Sequence, residues 1–199
     1  MAEKAVIRQL QKPILAVDVD STIADITAPL LDLIKKEFGK DITREDMTEH
    51  DMENVLHEPK DKLHKLLEFV WAEPDKIPLV DPDIPGVLAA LQSKYEIHIL
   101  TATLGDEATV KKWLADHNIP YDKYVHVNLP TDKQNYNADV FIDDDYEVVA
   151  AVSAKGKRAL LVKQPWNAIL AKIHTPSNVT VIDKWDEAEK LLLMTLLRR

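Results

Sequence analysis

Two carboxylates two positions apart, Asp18 and Asp20 in the run ILAVDVDST, and an acidic triplet opened by Asp143 in the run ADVFIDDD are the side chains of this chain best suited to chemistry. Residues two apart in extended backbone leave the same face, so Asp18 and Asp20 project together. Two unit negative charges about 4 Å apart repel by roughly 4 kcal/mol at an effective dielectric near 20, and Asp143 and Asp144 at the same sheet edge would add to that. A hard divalent cation such as Mg2+, held by carboxylate, backbone carbonyl and water, neutralises a cluster of this kind. A proton on one aspartate is the other remedy, favoured by burial and by like-charge neighbours, and the two can coexist.

That combination suits phosphoryl transfer through an aspartate. Asp18 can attack phosphorus to give an aspartyl-phosphate, while a protonated Asp20 donates to the leaving oxygen and later takes a proton from water. Thr101, closing the strand EIHILT, can hold a phosphoryl oxygen with N–H groups of the following turn. Lys133, in the loop TDKQNYN, offers a point positive charge to phosphate. The same residue types have plainer uses as helix caps and solvated charges, and Asp145 reads as the cap of YEVVAAVSAKG. A calcium loop starting at Asp18 fails, because its sixth and twelfth positions require Gly and Glu and the chain has Ile23 and Pro29 there. His57 and His64 read as solvated positions on one helical face, and Trp113, Trp166 and Trp185 as core packing.

The elements that must position these groups alternate between strand and helix. Residues 14–19 form a short β-branched run, predicted to be a buried strand. A helical block follows instead of the next strand. Leu30, Ile34 and Phe38 recur at helical spacing up to a stop at Gly39, a second helical stretch is predicted from Thr43, and a third carries Leu63, Leu66, Leu67 and Val70 on one face before Pro74. Alternation resumes with helix VLAALQSK, strand YEIHILT, helix DEATVKKWLADH and strands YVHV and ADVFID. Then come helix YEVVAAVSAKG, strands RALLV and VTVI, and a terminal helix through LLLMTLL. Strands spaced by helices predict an α/β fold with a mostly parallel sheet covered on both faces. The predicted organisation is an α/β core of residues 1–25 and 81–199 with a small helical cap, 26–80, inserted after the first strand. PLVDPDIPG, residues 78–86, is the expected return hinge.

Composition narrows the function classes. A net charge of −9 from 25 basic and 34 acidic residues disfavours nucleic-acid polymers and anionic membranes as partners. With no cysteine there is no disulfide framework, thiolate zinc site or cysteine nucleophile. The start MAEKAVIRQLQKPILAV lacks a signal-type apolar run, and no stretch approaches a membrane span, so a cytoplasmic protein is expected.

Taken in order, DVDST, the strand ending in Thr101, Lys133, and the strand ending in Asp143 and Asp144 resemble the four motifs of the haloacid dehalogenase superfamily of phosphatases. The resemblance covers the whole core and implies a Rossmann-like fold with its helical cap after the first motif. Within that superfamily, LPTDKQNYNADVFIDDD, DPDIPGVLAAL, LLVKQPWN and VIDKW are similar to the 5'(3')-deoxyribonucleotidase family. The resemblance implies Asp18 as nucleophile, Asp20 as general acid/base, and Thr101 and Lys133 as phosphate ligands. It further implies Mg2+ held by the Asp18 carboxylate, the Asp20 backbone carbonyl and Asp143 or Asp144, a (deoxy)nucleoside monophosphate as substrate, and an oligomer, since relatives are often dimers. Ser21 replaces the Gly common after the second aspartate, and Ile26 and His50 stand where that family carries aromatics. Trp71 and Phe69 are the candidate replacement surface for a nucleobase. The alternatives are the same chemistry on a sugar phosphate or phosphoserine, and a phospho-accepting signalling domain. The order of the acidic pair and the inserted cap speak against the latter.

Overall fold

Apolar runs of four to six residues form six parallel strands: β1 (Ile14–Val17), β2 (Glu96–Thr101), β3 (Lys123–His126), β4 (Val140–Asp143), β5 (Arg158–Val162) and β6 (Val179–Ile182). The computed structural model describes residues 12–195, so the reading of the first eleven residues and the end of LLLMTLL fall outside the described residues. Strand order is β3-β2-β1-β4-β5-β6. The chain therefore winds outward from β1 to β3 and then returns to the other side of β1. In open α/β sheets, ligands bind at such a switch point, outside the strands' carboxyl ends. Here that point lies between the ends of β1, β2 and β4.

Alternation along each strand fills two cores. Leu15, Val17, Ile97, Ile99 and Ile142 pack on one face, and Ala16, Leu100, Phe141, Ala159 and Leu161 on the other. The first face is covered by α4 (Ile84–Gln92), α5 (Glu107–Asp116) and α8 (Trp185–Thr195), and the second by α6 (Tyr146–Ala154). Both faces are dry, which accounts for strands that read as continuous apolar runs.

The inserted block holds α1 (Thr27–Phe38), α2 (Met52–Leu56) and α3 (Lys60–Ala72). Gly39 ends α1 in the left-handed conformation, φ 66°, its N–H bonded to the Lys35 carbonyl. The block's entry and exit run side by side: Asp25 N donates to the Pro78 carbonyl at 2.8 Å and Val80 N to the Ile23 carbonyl at 2.9 Å.

Three local readings are corrected. The stretch from Thr43 is a single 3-10 turn, Arg44–Asp46, closed by Asp46 accepting from the Thr43 N–H and hydroxyl. His57 and His64 share no helical face, because His57 ends α2 in the left-handed conformation and α3 begins only at Lys60. Between β5 and β6 lies α7 (Pro165–Ile173), which the sequence reading passed over. Parallel neighbours require a crossover, and Pro165 marks the helix start. Its periodicity is masked because Ile169 and Ile173 point outward, 57% and 75% exposed.

Candidate active site

β1 hands its last hydrogen bond to the site: Asp18 N donates to the Ile142 carbonyl at 3.0 Å, fixing Asp18 beside the end of β4. The chain then turns sharply, with the N–H groups of Thr22, Ile23 and Ala24 all directed at the Val19 carbonyl. Ser21 takes φ 57° in that turn, a left-handed conformation natural to glycine. Its carbonyl accepts from Gln164 Nε2 at 2.9 Å.

Lys133, carried by the 3-10 turn Pro130–Asn135, is buried among the carboxylates. Its Nζ stands 2.8 Å from Asp18 Oδ1 and 2.9 Å from Asp143 Oδ2. Asp143 Oδ1 accepts from Asp145 N at 3.0 Å, and Asp145 in turn caps α6 through Glu147 N and Val148 N. Asp144 is held on both oxygens, by Thr22 Oγ1 at 3.0 Å and Trp166 Nε1 at 2.9 Å. Thr101 is fully buried at the end of β2, where its hydroxyl accepts from Thr103 N at 3.1 Å. Thr103 Oγ1 donates to Asp20 Oδ1 at 3.2 Å, and Trp71 Nε1, from α3, donates to the same oxygen at 3.1 Å.

Two carboxylates, Asp18 and Asp143, thus pair with one ammonium, and two more, Asp20 and Asp144, lie within its electrostatic reach. Burial pushes the Asp20 carboxyl up to about 7, with the Asp18 charge adding and the bonds from Thr103 and Trp71 opposing. Burial likewise raises Asp18 to about 6, against the pull of Lys133. Asp144 is driven well above the ordinary carboxylate value by burial and by the charges of Asp143 and Asp18. Burial works against the Lys133 charge, yet Asp143 and Asp18 outweigh it and raise its pKa. Such a set is short of positive charge.

Asp18, Asp143 and Asp144 each offer one oxygen, and these lie within 4.8 Å of one another. The span is close to the roughly 4.2 Å across an octahedral shell of Mg–O bonds near 2.1 Å. An all-oxygen donor set with excess negative charge fits a hard divalent cation, so these residues suit the ion that the sequence resemblance implies.

Asp18, Asp20, Asp144 and Lys133 line a cleft of about 610 Å³ between the sheet edge and the helical block, with Asp143 buried beneath them. Ile26, Leu30, Met47, Leu63 and Leu67 line the block's side, with Glu49, Asp51 and Glu53 also facing the space. Phe69 is 59% exposed and contributes nothing to the lining; Trp71 is buried against Trp113, ring centroids 6.0 Å apart. Neither is a stacking platform.

All six residues singled out from the sequence, Asp18, Asp20, Thr101, Lys133, Asp143 and Asp144, meet at this one place. Sequence reasoning passed over Thr22, Thr103 and Gln164 here. It also read Trp166 as packing alone, whereas its indole N–H is spent on Asp144. A tryptophan two residues beyond Gln164 carries no local pattern announcing that contact; only the position of α7 supplies it.

A doubly wound parallel sheet with this acidic site at its switch point and a helical insertion behind the first strand defines a haloacid dehalogenase-like hydrolase fold. Solved structures agree. A haloacid dehalogenase-like hydrolase from Streptococcus pneumoniae superposes with TM-score 0.65 at 15% identity, over 90% of this chain and 98% of that one. D,D-heptose 1.7-bisphosphate phosphatase from B. bronchiseptica, complexed with magnesium and phosphate, superposes with TM-score 0.54 at 13% identity, over 92% and 99%. The chain belongs to the family described as 5' nucleotidase, deoxy (pyrimidine), cytosolic type C, whose sequence pattern matches residues 12–197. A nucleotidase of Clostridium acetobutylicum is 27% identical over 180 residues, covering 87% of this chain and 90% of the relative. The molecule is accordingly a phosphohydrolase of the nucleotidase type. Among the described residues, no helix is long and apolar enough to cross a membrane.

Proposed function

We propose that the chain hydrolyses (deoxy)nucleoside 5'-monophosphates through an aspartyl-phosphate on Asp18, with Mg2+ as cofactor and the cytoplasm as its place of action. The observation that carries this reading is the Asp18 carboxylate held 2.8 Å from the Lys133 ammonium at the base of a cleft large enough for a small organic phosphate. Lys133 and the Thr101 hydroxyl bind the phosphoryl oxygens, orienting phosphorus toward Asp18. Asp18 attacks; the bond from phosphorus to the leaving oxygen breaks as the bond to the Asp18 carboxylate forms. Asp20 gives its proton to that leaving oxygen, so the nucleoside departs as a neutral alcohol. Asp20, now ionised, takes a proton from water as the water attacks the aspartyl-phosphate, releasing phosphate and restoring both residues.

Asp18, the Asp20 backbone carbonyl and Asp143 or Asp144 would hold Mg2+, which when bound neutralises charge on the phosphoryl group and the nucleophile. The magnesium and phosphate bound to the B. bronchiseptica relative support that choice of ion.

The cleft's apolar side gives a nucleoside somewhere to rest, and the family description supports a nucleotide. The helical block offers no stacking aromatic, and the one tryptophan of the lining, Trp166, is bonded to Asp144, so a sugar phosphate is the second reading. Phosphoserine belongs to the same second reading: Glu49, Asp51 and Glu53 line the cleft, and so does Lys60, which could meet its carboxylate. Phosphate release from deoxynucleoside and ribonucleoside monophosphates, sugar phosphates and an aryl phosphate, with and without chelator, tests the assignment. Expected is metal-dependent turnover with a nucleotide preferred; nucleotides no better than the aryl phosphate would refute the nucleotidase reading. Asp18→Asn should abolish turnover of every substrate.

A further inference from the structure

Trp71 reaches the site from the far end of the inserted block. It stands next to last in α3, and its Nε1 donates to Asp20 Oδ1 at 3.1 Å. Thr103 Oγ1, from the opposite wall after β2, meets the same oxygen at 3.2 Å. Both donors converge on Oδ1, which makes that oxygen the carbonyl-like partner of a protonated carboxyl and leaves Oδ2 to carry the transferable proton. The ring's position is built rather than incidental. It packs edge-on against Trp113, at 84° between planes, and over Gly105, where a Cβ would stand 2.6 Å from the Trp71 ring. The turn after β2 thus has room for this indole because its residue 105 lacks a side chain. No backbone conformation demands the glycine there; Gly105 is not among the glycines with positive φ.

We propose that Trp71 is a positioning residue for the acid/base Asp20: its indole N–H fixes the carboxyl so that Oδ2 faces the leaving oxygen, and it does so only while α3 sits over the core. The inference rests on the reading of Asp20 as proton donor. It assigns the inserted block a part in the chemistry beyond covering the cleft, since moving α3 away would withdraw one of the two donors that orient the acid.

Leaving-group dependence tests this. An alkyl phosphate such as a nucleoside monophosphate needs its leaving oxygen protonated, whereas p-nitrophenyl phosphate leaves as a stable phenolate and needs little help. Trp71→Phe should lower kcat/KM, which reports the steps up to leaving-group release, by about 10- to 100-fold for the nucleotide, part of the roughly 100- to 10,000-fold that general acid catalysis supplies, while kcat/KM for p-nitrophenyl phosphate falls less than about threefold. Competitive inhibition by inorganic phosphate should hold, because the phosphoryl ligands are untouched. Gly105→Ala, which displaces the ring, should show the same selective loss. Phe69→Ala, on the outward side of the same helix, should leave the ratio of the two rates unchanged. Replacing Trp71 with 3-benzothienylalanine keeps the bicyclic shape and removes only the N–H, so the inference stays testable if Trp71→Phe fails to fold. Asp20→Asn separates the two levels of the argument. Selective loss of kcat/KM in Asp20→Asn but equal losses of kcat/KM for both substrates in the Trp71 variants would overturn the role of Trp71 and leave the acid in place. Equal losses of kcat/KM, which reports only the steps up to leaving-group release, for both substrates in Asp20→Asn would overturn the acid assignment itself; kcat falls for both in that variant through the shared water step.

Discussion

The Lys133 ammonium stands 2.8 Å from Asp18 Oδ1, with both side chains buried and the two residues 115 positions apart in the chain. Asp143, at 2.9 Å on its other side, completes a bridge that joins the ends of β1 and β4 through a single cation.

Removing that cation should cost more than activity. Lys133→Met leaves Asp18 and Asp143 buried without a partner, and breaking such a pair typically costs about 3–5 kcal/mol. Thermal unfolding at pH 7 without metal should show a Tm lower by roughly 6–20 °C, at about 2–4 °C per kcal/mol for a chain of this size. As pH falls through about 6, where Asp18 takes up its proton even beside Lys133, the gap should narrow. An unchanged Tm at pH 7 would contradict the bridge.

The raised Asp20 carboxyl gives a pH dependence of definite sign. In the unfolded chain it ionises near its ordinary value of 3.8, and in the folded protein only near about 7. Between those values the folded state holds the extra proton, so the metal-free protein loses stability from this group as pH rises through the window. Asp20→Asn, neutral at every pH, escapes the loss. The Tm of Asp20→Asn minus that of wild type should therefore grow from pH 4 to pH 7, by several degrees; a flat difference would mean that the carboxyl is not raised.

Trp166 bears on the metal. Its N–H, 2.9 Å from Asp144 Oδ2, orients one of the three carboxylates that could hold the ion. Loss of such an outer partner commonly lowers metal affinity about 10- to 100-fold. Trp166→Phe should weaken Mg2+ binding by that factor in calorimetry, with a matching rise in the Mg2+ concentration needed for half-maximal activity. Unaltered affinity would show that Asp144 needs no help.

Ser21 is held at φ 57°. A left-handed L-residue is strained by roughly 1–2 kcal/mol, and glycine relieves this at the cost of greater freedom in the unfolded chain. Ser21→Gly should raise Tm by about 2–3 °C, corresponding to a net gain near 1 kcal/mol. A fall in Tm would show that the turn depends on the serine side chain.

Much of this architecture was legible beforehand because parallel strands bury both faces and so print unbroken apolar runs: VFID and RALLV need no tertiary partner to be recognised. α7 escaped the same reading because its outward Ile169 and Ile173 blur the polar-to-apolar contrast on which a helical pattern depends. The site shows the same division. Asp18, Asp20 and Asp143 announce themselves, since carboxylates at the end of apolar strands have few structural uses. Thr103 and Trp166 are ordinary residues until the fold sets them beside an aspartate.

What the sequence determined by itself was the set of charged groups and the edge of the sheet to which its strands deliver them, because strand periodicity and strand ends are local properties. The tertiary structure alone decided which neutral donors face those charges: Trp71 on Asp20 Oδ1, Trp166 and Thr22 on Asp144, Gln164 on the Ser21 carbonyl. Each of these donors is distant along the chain from the group it meets, by 22 positions for Trp166 and Asp144 up to 143 for Gln164 and Ser21. A hydrogen bond is specified by a separation of about 3 Å and a direction, and for residues distant in sequence those follow only from how helices seat on the sheet.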